Sequence, residues 1–433
     1  MKCAETTGFR TKALIEYFRQ VPDHRSSRKK KHDHAEMLVC ITVGFICGRT
    51  TIRRSLNWCK KHIDWLRQYM PLENGIASPS TISRMLGGLD EELFLYAFME
   101  WIGEIADSRN THLAIDGKAL RGATQKVQTF KSPMVMNVIE AIKGLVLAQV
   151  PIENKGCEIT AIPEVLKLLD IRGSTVTIDA VGTQAGIMEQ IHKQGGNFIL
   201  TVKENQPEAC VEINCFMDKL ENEAGKERKG EKTDSGLKDY LAKYEEVSKT
   251  EKNRDRYEYR TYKICNDASE LTKSQKEWKH VKSIGQVKQV RVPVEKDREG
   301  NDITPSREEF LRKGSRRAPV SAAAVGRGKN IQCSAMISDR FLTAEELGRI
   351  KRMHWSIENR LHHVLDDTFR EDRSPAKKSR NNLALIRKYA YNILRLAMLA
   401  TEGNGIMTEM MDCFCDNAAL REKYIFKGIT SLY

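Results

Sequence analysis

Two aspartates stand where the chain could place carboxylates for metal-dependent chemistry. Asp116 ends the apolar segment HLAID, and Asp179 ends the apolar segment STVTID. If these segments are neighbouring parallel strands, both acids emerge at the same edge of a sheet. Carboxylates held close together repel one another strongly unless cations lie between them. The pair therefore favours a site for two divalent ions, which activate a water or hydroxyl and stabilise the leaving oxygen.

A third acid for such a site must come from another part of the chain. In the segment KRMHWSIENRLH (351–362), an α-helix would place His354, Glu358 and His362 at i, i+4 and i+8 on one face. This spacing allows a zinc site as well as a single carboxylate contribution from Glu358. Three zinc ligands would leave the two aspartates without a role, so zinc is the less favoured interpretation and Glu358 is one candidate for the third acid.

Ordinary structural roles remain open for each acid. Asp116 precedes a glycine, and Asp-Gly is a common hairpin turn. Asp179 could cap the next helix, and Glu358 could be a surface acid paired with Arg352 or Arg360. Spacing also cannot exclude other nearby carboxylates as the third acid: Asp366, Asp367, Glu371 and Asp372.

The elements that must position these acids follow from hydrophobic periodicity. Residues 1–108 carry apolar residues at helical spacing in 35–46, 52–67 and 91–105, and we expect a helical domain. From His112 the pattern changes to three strands, a helix, a strand, a helix and a strand, with Thr160 capping the first of these helices and 182–194 forming the second. A mixed sheet with right-handed crossovers assembles that order, so the fold class is α/β.

A charged region separates the two aspartates from Glu358. Residues 206–339 are rich in Lys and Glu and mostly irregular, with strand-like pieces at Tyr257–Cys265 and His280–Val294. The stretch 295–330 is typical of a flexible basic loop. Helix returns near Thr343, continues through Glu358, and resumes from 375 to 401.

The overall charge favours a polyanionic partner. The 433 residues hold 71 Lys+Arg against 58 Asp+Glu, a net charge of +13. The cysteines form neither zinc-finger pairs nor a disulfide framework, and the start of the chain lacks a signal peptide. The apolar run 37–48 is too short to span a bilayer, so we expect a cytoplasmic protein without a membrane partner.

Several cations are candidates for contact with phosphate. The run from Arg25 to Lys31 is either a solvated arm or a phosphate-binding arm, and residues near the two aspartates could neutralise phosphates or hydrogen-bond a base. Arg53, Arg54 and Arg84 could lie on exposed faces of the N-terminal helices. The candidates for DNA contact are Arg25, Arg28, Lys29, Lys30, Lys31, Lys118, Arg121, Lys203, Asn205, Gln206 and Arg387.

The motifs in their order resemble a known family. The segments LAIDGKALRG (113–122), CEITAIPEVL (157–166), TVTIDAVGTQ (175–184), TVKENQ (201–206) and RMHWSIENRLHHVLDDTFREDRS (352–374) closely resemble the H-repeat-associated, ISAs-type transposases of bacterial insertion sequences. VPDHR (21–25) and PSTISRML (79–86) resemble that family's N-terminal associated domain. The likeness spans about residues 15 to 400.

The resemblance implies a fold and a catalytic triad. These proteins are a branch of the DDE transposases, which implies an RNase H-like mixed five-stranded core with flanking helices and a β-rich insertion before the last catalytic helix. The triad is then Asp116, Asp179 and Glu358, all present, and it implies two Mg²⁺ ions per site, with Mn²⁺ as a substitute. The implied domains are 1–108, 109–206, 207–340, 341–402 and 403–433.

The resemblance also implies an activity and partners. The expected reaction is hydrolysis at transposon ends followed by strand transfer into target DNA. The expected assembly is a homodimer in a synaptic complex, which associates with the bacterial nucleoid when bound to DNA. Two alternatives stay open: a DDE-type nuclease without strand transfer, and a domesticated DNA-binding protein. The chain departs from the family at 254–260, where the usual His and Gly are replaced, and at His363, where Trp is usual.

Overall fold

The computed structural model describes residues 10–26, 30–121, 133–152, 157–299, 301–306, 308–310, 331–401 and 405–432. The chain divides into two compact units, each described by itself below. The first unit comprises Met1–Ser174 and Trp355–Tyr433, and the second comprises Thr175–His354.

The N-terminal part of the first unit is helical, as predicted. Polar caps set the helix starts: Asp33, Thr51, Ser78 and Asp90 each accept a hydrogen bond from a backbone N–H of the first turn. The six helices are α1 (Leu14–Gln20), α2 (His34–Ile46), α3 (Ile52–Lys61), α4 (Ile63–Leu66), α5 (Pro79–Leu86) and α6 (Glu91–Gly103).

Three antiparallel strands follow in the first unit, in the order β3-β2-β1. They are β1 (His112–Ala119), β2 (Met134–Glu140) and β3 (Leu145–Ile152). The hypothesis that Asp116 and Gly117 form a hairpin turn is wrong, as is the prediction that the strand ends at Asp116. The strand runs on to Ala119, and Asp116 pairs with Asn137 on β2.

The next helix, α7 (Glu158–Lys167), begins before the predicted cap at Thr160, whose hydroxyl instead donates to the carbonyl of Cys157. Its first residue, Glu158, lies close to the glycine after Asp116. A Cβ at Gly117 would lie 2.9 Å from Oε1 of Glu158, so a side chain there would displace that carboxylate.

The C-terminal part of the first unit is also helical. A π-helical turn (Ile357–His362) leads into α13 (His363–Asp367) and a 3₁₀ turn (Glu371–Arg373), and then come α14 (Arg380–Ala400), α15 (Met407–Asp416), α16 (Ala418–Arg421) and a second π-helical turn (Glu422–Phe426). Residues 403–433, expected as a tail, thus contain two helices over their described part. The regular α-helical spacing predicted for 354–362 is wrong, because the π-helical turn shifts successive side chains around the axis.

Helix α14 lies at the centre of the first unit. Its Tyr389 is fully buried and packs edge-on against Phe18 and Phe98, with ring centroids 5.0 and 4.8 Å apart. Its Asn392 accepts from the N–H of Val146 and donates to the carbonyl of Val146 on β3. The side-chain amide therefore fixes the helix against the edge strand of the three.

The second unit is a mixed sheet of six strands with helices, in the order β4-β5-β11-β8-β7-β6. Strands β4 and β5 are parallel, and the other described pairs are antiparallel. The strands are β4 (Thr175–Ile178), β5 (Asn197–Val202), β6 (Tyr244–Asn253), β7 (Arg256–Cys265), β8 (Ser283–Pro293) and β11 (Ile331–Ser338), with a separate pair β9 (Glu295–Lys296) and β10 (Asp302–Ile303). The helices are α8 (Ala185–Lys193), α9 (Pro207–Arg228), α10 (Lys238–Leu241), α11 (Ser269–Ser274) and α12 (Ala344–His354).

Several sequence predictions for this unit are corrected. Residues 207–228, expected to be irregular, form the 22-residue helix α9, and strands β6 and β11 were not foreseen. The predicted helix 182–194 is a 3₁₀ turn (Ala180–Gly182) followed by α8. Within 295–330 the described part includes the β9–β10 pair, and residues 300, 307 and 311–330 lie outside the described residues.

Taken together, the two units show a mixed α/β architecture, as predicted. Among the described residues, no helix has both the length and the apolar character needed to cross a membrane.

Candidate active site

The first predicted acid lies inside a buried strand. Residues 112–115 of β1 are buried, and the Asp116 side chain is 24% exposed. Alternate residues of a strand share a face, so Asp116 and Lys118 lie on the same side of β1. That side is covered by the segment that carries Glu358, because His362 contacts Asp116 and Asp366 contacts Lys118.

This pairing of strand and helix has a simple geometric basis. His362 and Asp366 are four residues apart, which is about 6 Å along a helix. Asp116 and Lys118 are two residues apart, which is about 6.7 Å along a strand. The two spacings nearly match, so two contacts form in register.

His362 joins Asp116 to the neighbouring strand. Its Nδ1 lies 3.5 Å from Oδ2 of Asp116, and the Nδ2 of Asn137 lies 3.2 Å from its Nε2. Burial, with the positive charges of Lys118 and Lys388, lowers the pKa of His362 to about 3, so the ring is neutral at ordinary pH. An amide NH₂ can only donate, so Nε2 accepts and the ring proton resides on Nδ1, facing the carboxylate.

Lys118 holds three acids of the following segment. Its Nζ donates to Asp366 and lies 3.2 Å from Glu371 and 3.7 Å from Asp372. Burial acts to lower the pKa of Lys118, but Glu371 and Asp366 outweigh it and the pKa is raised. The ammonium therefore stays charged in a buried position, 5% exposed, and Glu371 is the buried carboxylate that compensates it.

Glu371 also meets two cations of α14. Arg387 lies 3.7 Å from it, and burial would raise the pKa of Glu371 if Lys388, Lys118 and Arg387 did not lower it below its ordinary value. The Lys388 ammonium donates to Gln149 on β3, and burial lowers the pKa of Lys388 to about 8. Strand β1, the 371–373 turn and α14 are thus connected by one buried network of charges.

Glu358 lies on the π-helical turn and is exposed, while Ile357 and Leu361 of the same turn are buried. The apolar pair fixes the turn in the first unit. The rival acids Asp366, Glu371 and Asp372 surround Lys118, as described above, which gives them a structural role.

The second predicted acid belongs to the second unit. Asp179 follows β4, its side chain is 51% exposed, and its Oδ1 accepts a 2.9 Å hydrogen bond from Lys203. Burial acts to raise the pKa of Asp179, but the hydrogen bond and charge of Lys203 outweigh it and the pKa is lowered. Asn205 and Gln206 donate to the carbonyls of Ala180 and Thr183, so they shape the loop after Asp179. The convergence of Asp179 with Asp116 and Glu358 stays a prediction.

The other predicted DNA contacts differ in accessibility. Arg25 donates to both carboxylate oxygens of Asp23 and to the carbonyl of His32. Arg387 is buried. Lys31 and Arg121 are exposed. Lys30 is exposed and lies 3.7 Å from Asp23. Arg53, Arg54 and Arg84 are exposed. Arg28 and Lys29 lie outside the described residues.

The donor set is compatible with a hard divalent cation. Asp116, Asp179 and Glu358 offer only carboxylate oxygens, the ligands that Mg²⁺ and Mn²⁺ prefer. Zinc is a poorer match to these three carboxylates, since its protein sites are built mainly from Cys and His ligands. In the described part of the chain, no preformed group of three His, Cys, Asp or Glu side chains could hold a metal ion.

Sequence reasoning missed two kinds of residue in this site. Asn137 is a fully buried polar residue inside the apolar strand MVMNVIE, and that contrast was the available signal. Lys388, a buried cation, gave no such signal, because charged residues on a helix usually face water. Arg387 was expected to contact DNA, but it is buried beside Glu371.

Two family models match most of the chain. The family described as Transposase DDE domain matches residues 107–393, and the family described as DDE_Tnp_1-associated matches residues 15–102. The chain belongs to the DDE transposase family, whose members generally use divalent metal ions.

Similar proteins are known from Escherichia coli K12. YhhI, an H repeat-associated protein named as a proposed transposase, is 29% identical over 390 residues, which is 88% of this chain and 90% of YhhI. YbfL shows the same identity and the same coverage. YbfD, also H repeat-associated, is 34% identical over 45% of this chain and 78% of YbfD. A solved structure, the cryo-EM structure of the piggyBac transposase synaptic complex with hairpin DNA, is also similar. The match covers 95% of this chain and 76% of the piggyBac chain at 9% sequence identity. Its TM-score is 0.40, which is too low to support an argument.

Proposed function

We propose that this protein is a DNA transposase of an insertion sequence. It binds the ends of the element, cuts a phosphodiester bond at each end, and joins the exposed 3′ hydroxyl to target DNA. The observation that carries the proposal is family membership over 107–393 with all three acids of the family motif in place. Two copies of the chain in one complex would process the two ends together.

Asp116, Asp179 and Glu358 would hold two Mg²⁺ ions on an RNase H-like core. When bound, these ions supply Lewis-acid activation of the attacking oxygen and charge stabilisation of the leaving oxygen. The exposed sides of Asp179 and Glu358 support this assignment, since a substrate phosphate must reach the same carboxylates.

The surrounding residues of the chain have positioning roles in this proposal. The Nδ1–H of His362 orients the Asp116 carboxylate, and Asn137 fixes the tautomer that makes this possible. Lys118 anchors the segment after Glu358 to β1 through Asp366 and Glu371. Lys203 balances the charge of Asp179 before substrate arrives. The reaction needs no covalent protein intermediate, so no nucleophilic side chain is assigned.

The experiment that tests this proposal follows products as well as cleavage. Pre-nicked DNA carrying the element's end is incubated with the protein, Mg²⁺ and a target plasmid. A transposase yields end DNA joined covalently to the target. Cleavage without joined product would indicate a DDE-type nuclease, and binding without cleavage would indicate a DNA-binding protein that has lost the chemistry.

A further inference from the structure

An open pocket in the second unit combines positive charge with an aromatic ring, apart from every residue assigned above. Its volume is about 570 Å³, and its lining includes Lys243, Lys276, Lys279, Lys282 and Phe341. The acidic residue of the lining, Asp267, accepts a 2.6 Å hydrogen bond from Lys243. Four ammonium groups therefore face one carboxylate, and the pocket has an excess of positive charge.

Most of this charge is available to a ligand. Lys276 and Lys282 are exposed and form no ion pair with any other residue that the structure describes. Lys279 lies 3.5 Å from Glu189, which also pairs with Lys193 and His280. One carboxylate shared by Lys193 and Lys279 cannot neutralise both ammonium groups, so Lys279 retains attraction for an anion.

The side chain of Phe341 is exposed to solvent, and the residues on either side of it are anchored. Phe341 is 66% exposed, although Leu342 beside it is buried. Asn266 accepts from the N–H of Leu342, and Arg340 donates to Oγ1 of Thr175, so both flanking residues are anchored. An exposed phenyl ring on an anchored turn loses hydrophobic free energy unless something covers it.

We propose that this pocket binds a nucleic-acid strand, with the lysines on its phosphates and Phe341 stacked against an unpaired base. Cations that follow a backbone beside an aromatic ring are the combination that single-stranded nucleic acid requires. A peptide of Asp and Glu would use the lysines but carries no aromatic ring to stack on Phe341. The inference rests on the proposed function and adds to it a contact with single-stranded DNA through residues other than the three acids.

The test uses the full chain and a fluorescent single-stranded oligothymidylate, with anisotropy measured over a range of salt concentrations. In the variant Lys276→Gln/Lys279→Gln/Lys282→Gln, the slope of log affinity against log salt becomes shallower by about 2, at about 0.7 per lost phosphate contact. Phe341→Ala weakens binding by roughly tenfold with the slope unchanged, and Phe341→Tyr restores it. The charge-matched control is Lys229→Gln/Lys232→Gln/Lys238→Gln, whose three lysines are exposed in the same unit.

Each outcome decides for or against the pocket. Equal effects of the pocket and control triples, or unchanged affinity in Phe341→Ala, would overturn the proposal. Loss of polyglutamate binding in the pocket triple, with no effect of Phe341→Ala on the oligothymidylate, would instead indicate an acidic protein partner. If wild type binds the strand through the pocket but never cuts end DNA, the proposed function is wrong and the proposal of a strand-binding pocket still holds.

Discussion

At the scale of single residues, His362 is the contact that ties the Glu358 segment to Asp116. A neutral imidazole with its proton on Nδ1 can donate to the carboxylate of Asp116 and orient it, and the Nδ2 of Asn137 faces Nε2 to fix that tautomer. Neither His362 nor Asn137 would be identified as a support of Asp116 from its charge or from a position at the end of a strand.

Removing this support should weaken catalysis without unfolding the protein. We expect Asn137→Leu and His362→Ala each to lower single-turnover cleavage of end DNA by about 10- to 100-fold, with a parallel loss of Mn²⁺ affinity. Asn381→Leu is the matched control, because Asn381 is partly exposed and bonds only Glu91 and Gln149 among described side chains. Wild-type rates and Mn²⁺ affinity in a folded Asn137→Leu protein would rule out the role assigned to this residue.

Lys118 belongs to the same scale, but its effect is on stability. Lys118→Met leaves Glu371 buried with less compensating charge, so we expect the free energy of unfolding to fall by about 3 kcal/mol. Lys167→Met is the control, since its exposed pair with Glu164 should contribute less than about 1 kcal/mol. Denaturant unfolding followed by circular dichroism measures both. The network is misassigned if the two variants lose equal stability.

At the scale of elements, the link between α1 and α2 is fixed by a small polar cluster. Asp23 accepts from the backbone N–H of Arg25 and from two guanidinium nitrogens, and His34 bonds the carbonyl of Val21 at 2.7 Å. Burial acts to raise the pKa of Asp23, but the hydrogen bonds and charge of Arg25 outweigh it and lower the pKa to about 2. The VPDHR motif therefore has a structural role.

This cluster predicts a pH dependence of stability. The folded pKa of Asp23 lies below its ordinary value, so its stabilisation is complete above about pH 4 and is lost as pH falls towards 2. We expect Asp23→Asn to cost about 2 kcal/mol at pH 7 and about half as much at pH 3. Urea unfolding of both proteins at the two pH values measures this. A difference that stays constant with pH would contradict the assignment.

The same scale shows what the sequence could and could not predict. Caps and helical periodicity predicted the N-terminal helices, and apolar runs predicted β1 to β5. Strand β6, YEEVSKTEKN, was missed because it lies at the sheet edge and carries mostly polar side chains. The extension of β1 past Asp116 depends on pairing with β2, and the π-helical turn at Glu358 depends on packing of Ile357 and Leu361. Both are tertiary effects that local propensity does not encode.

At the scale of the whole molecule, the net charge of +13 favours association of the protein with polyanionic DNA. Neutralised phosphates release counterions, so affinity for duplex end DNA should fall steeply with salt. We expect a log–log slope steeper than about −3, at about −0.9 per phosphate contact. Titrations between low and moderate salt measure it. Affinity that stays flat would remove the electrostatic argument for a DNA partner.

The central claim is that Asp116, Asp179 and Glu358 act together as one catalytic site, and the rates of single and double variants test it. Single-turnover cleavage of end DNA is measured for Asp116→Asn, Asp179→Asn, Glu358→Gln and their double variants, with Asp367→Asn as an acidic control. We expect each single variant to lose at least about 10³-fold in rate, the double variants to lose little more, and the control to keep its rate. Near wild-type cleavage by Asp179→Asn or Glu358→Gln would contradict it.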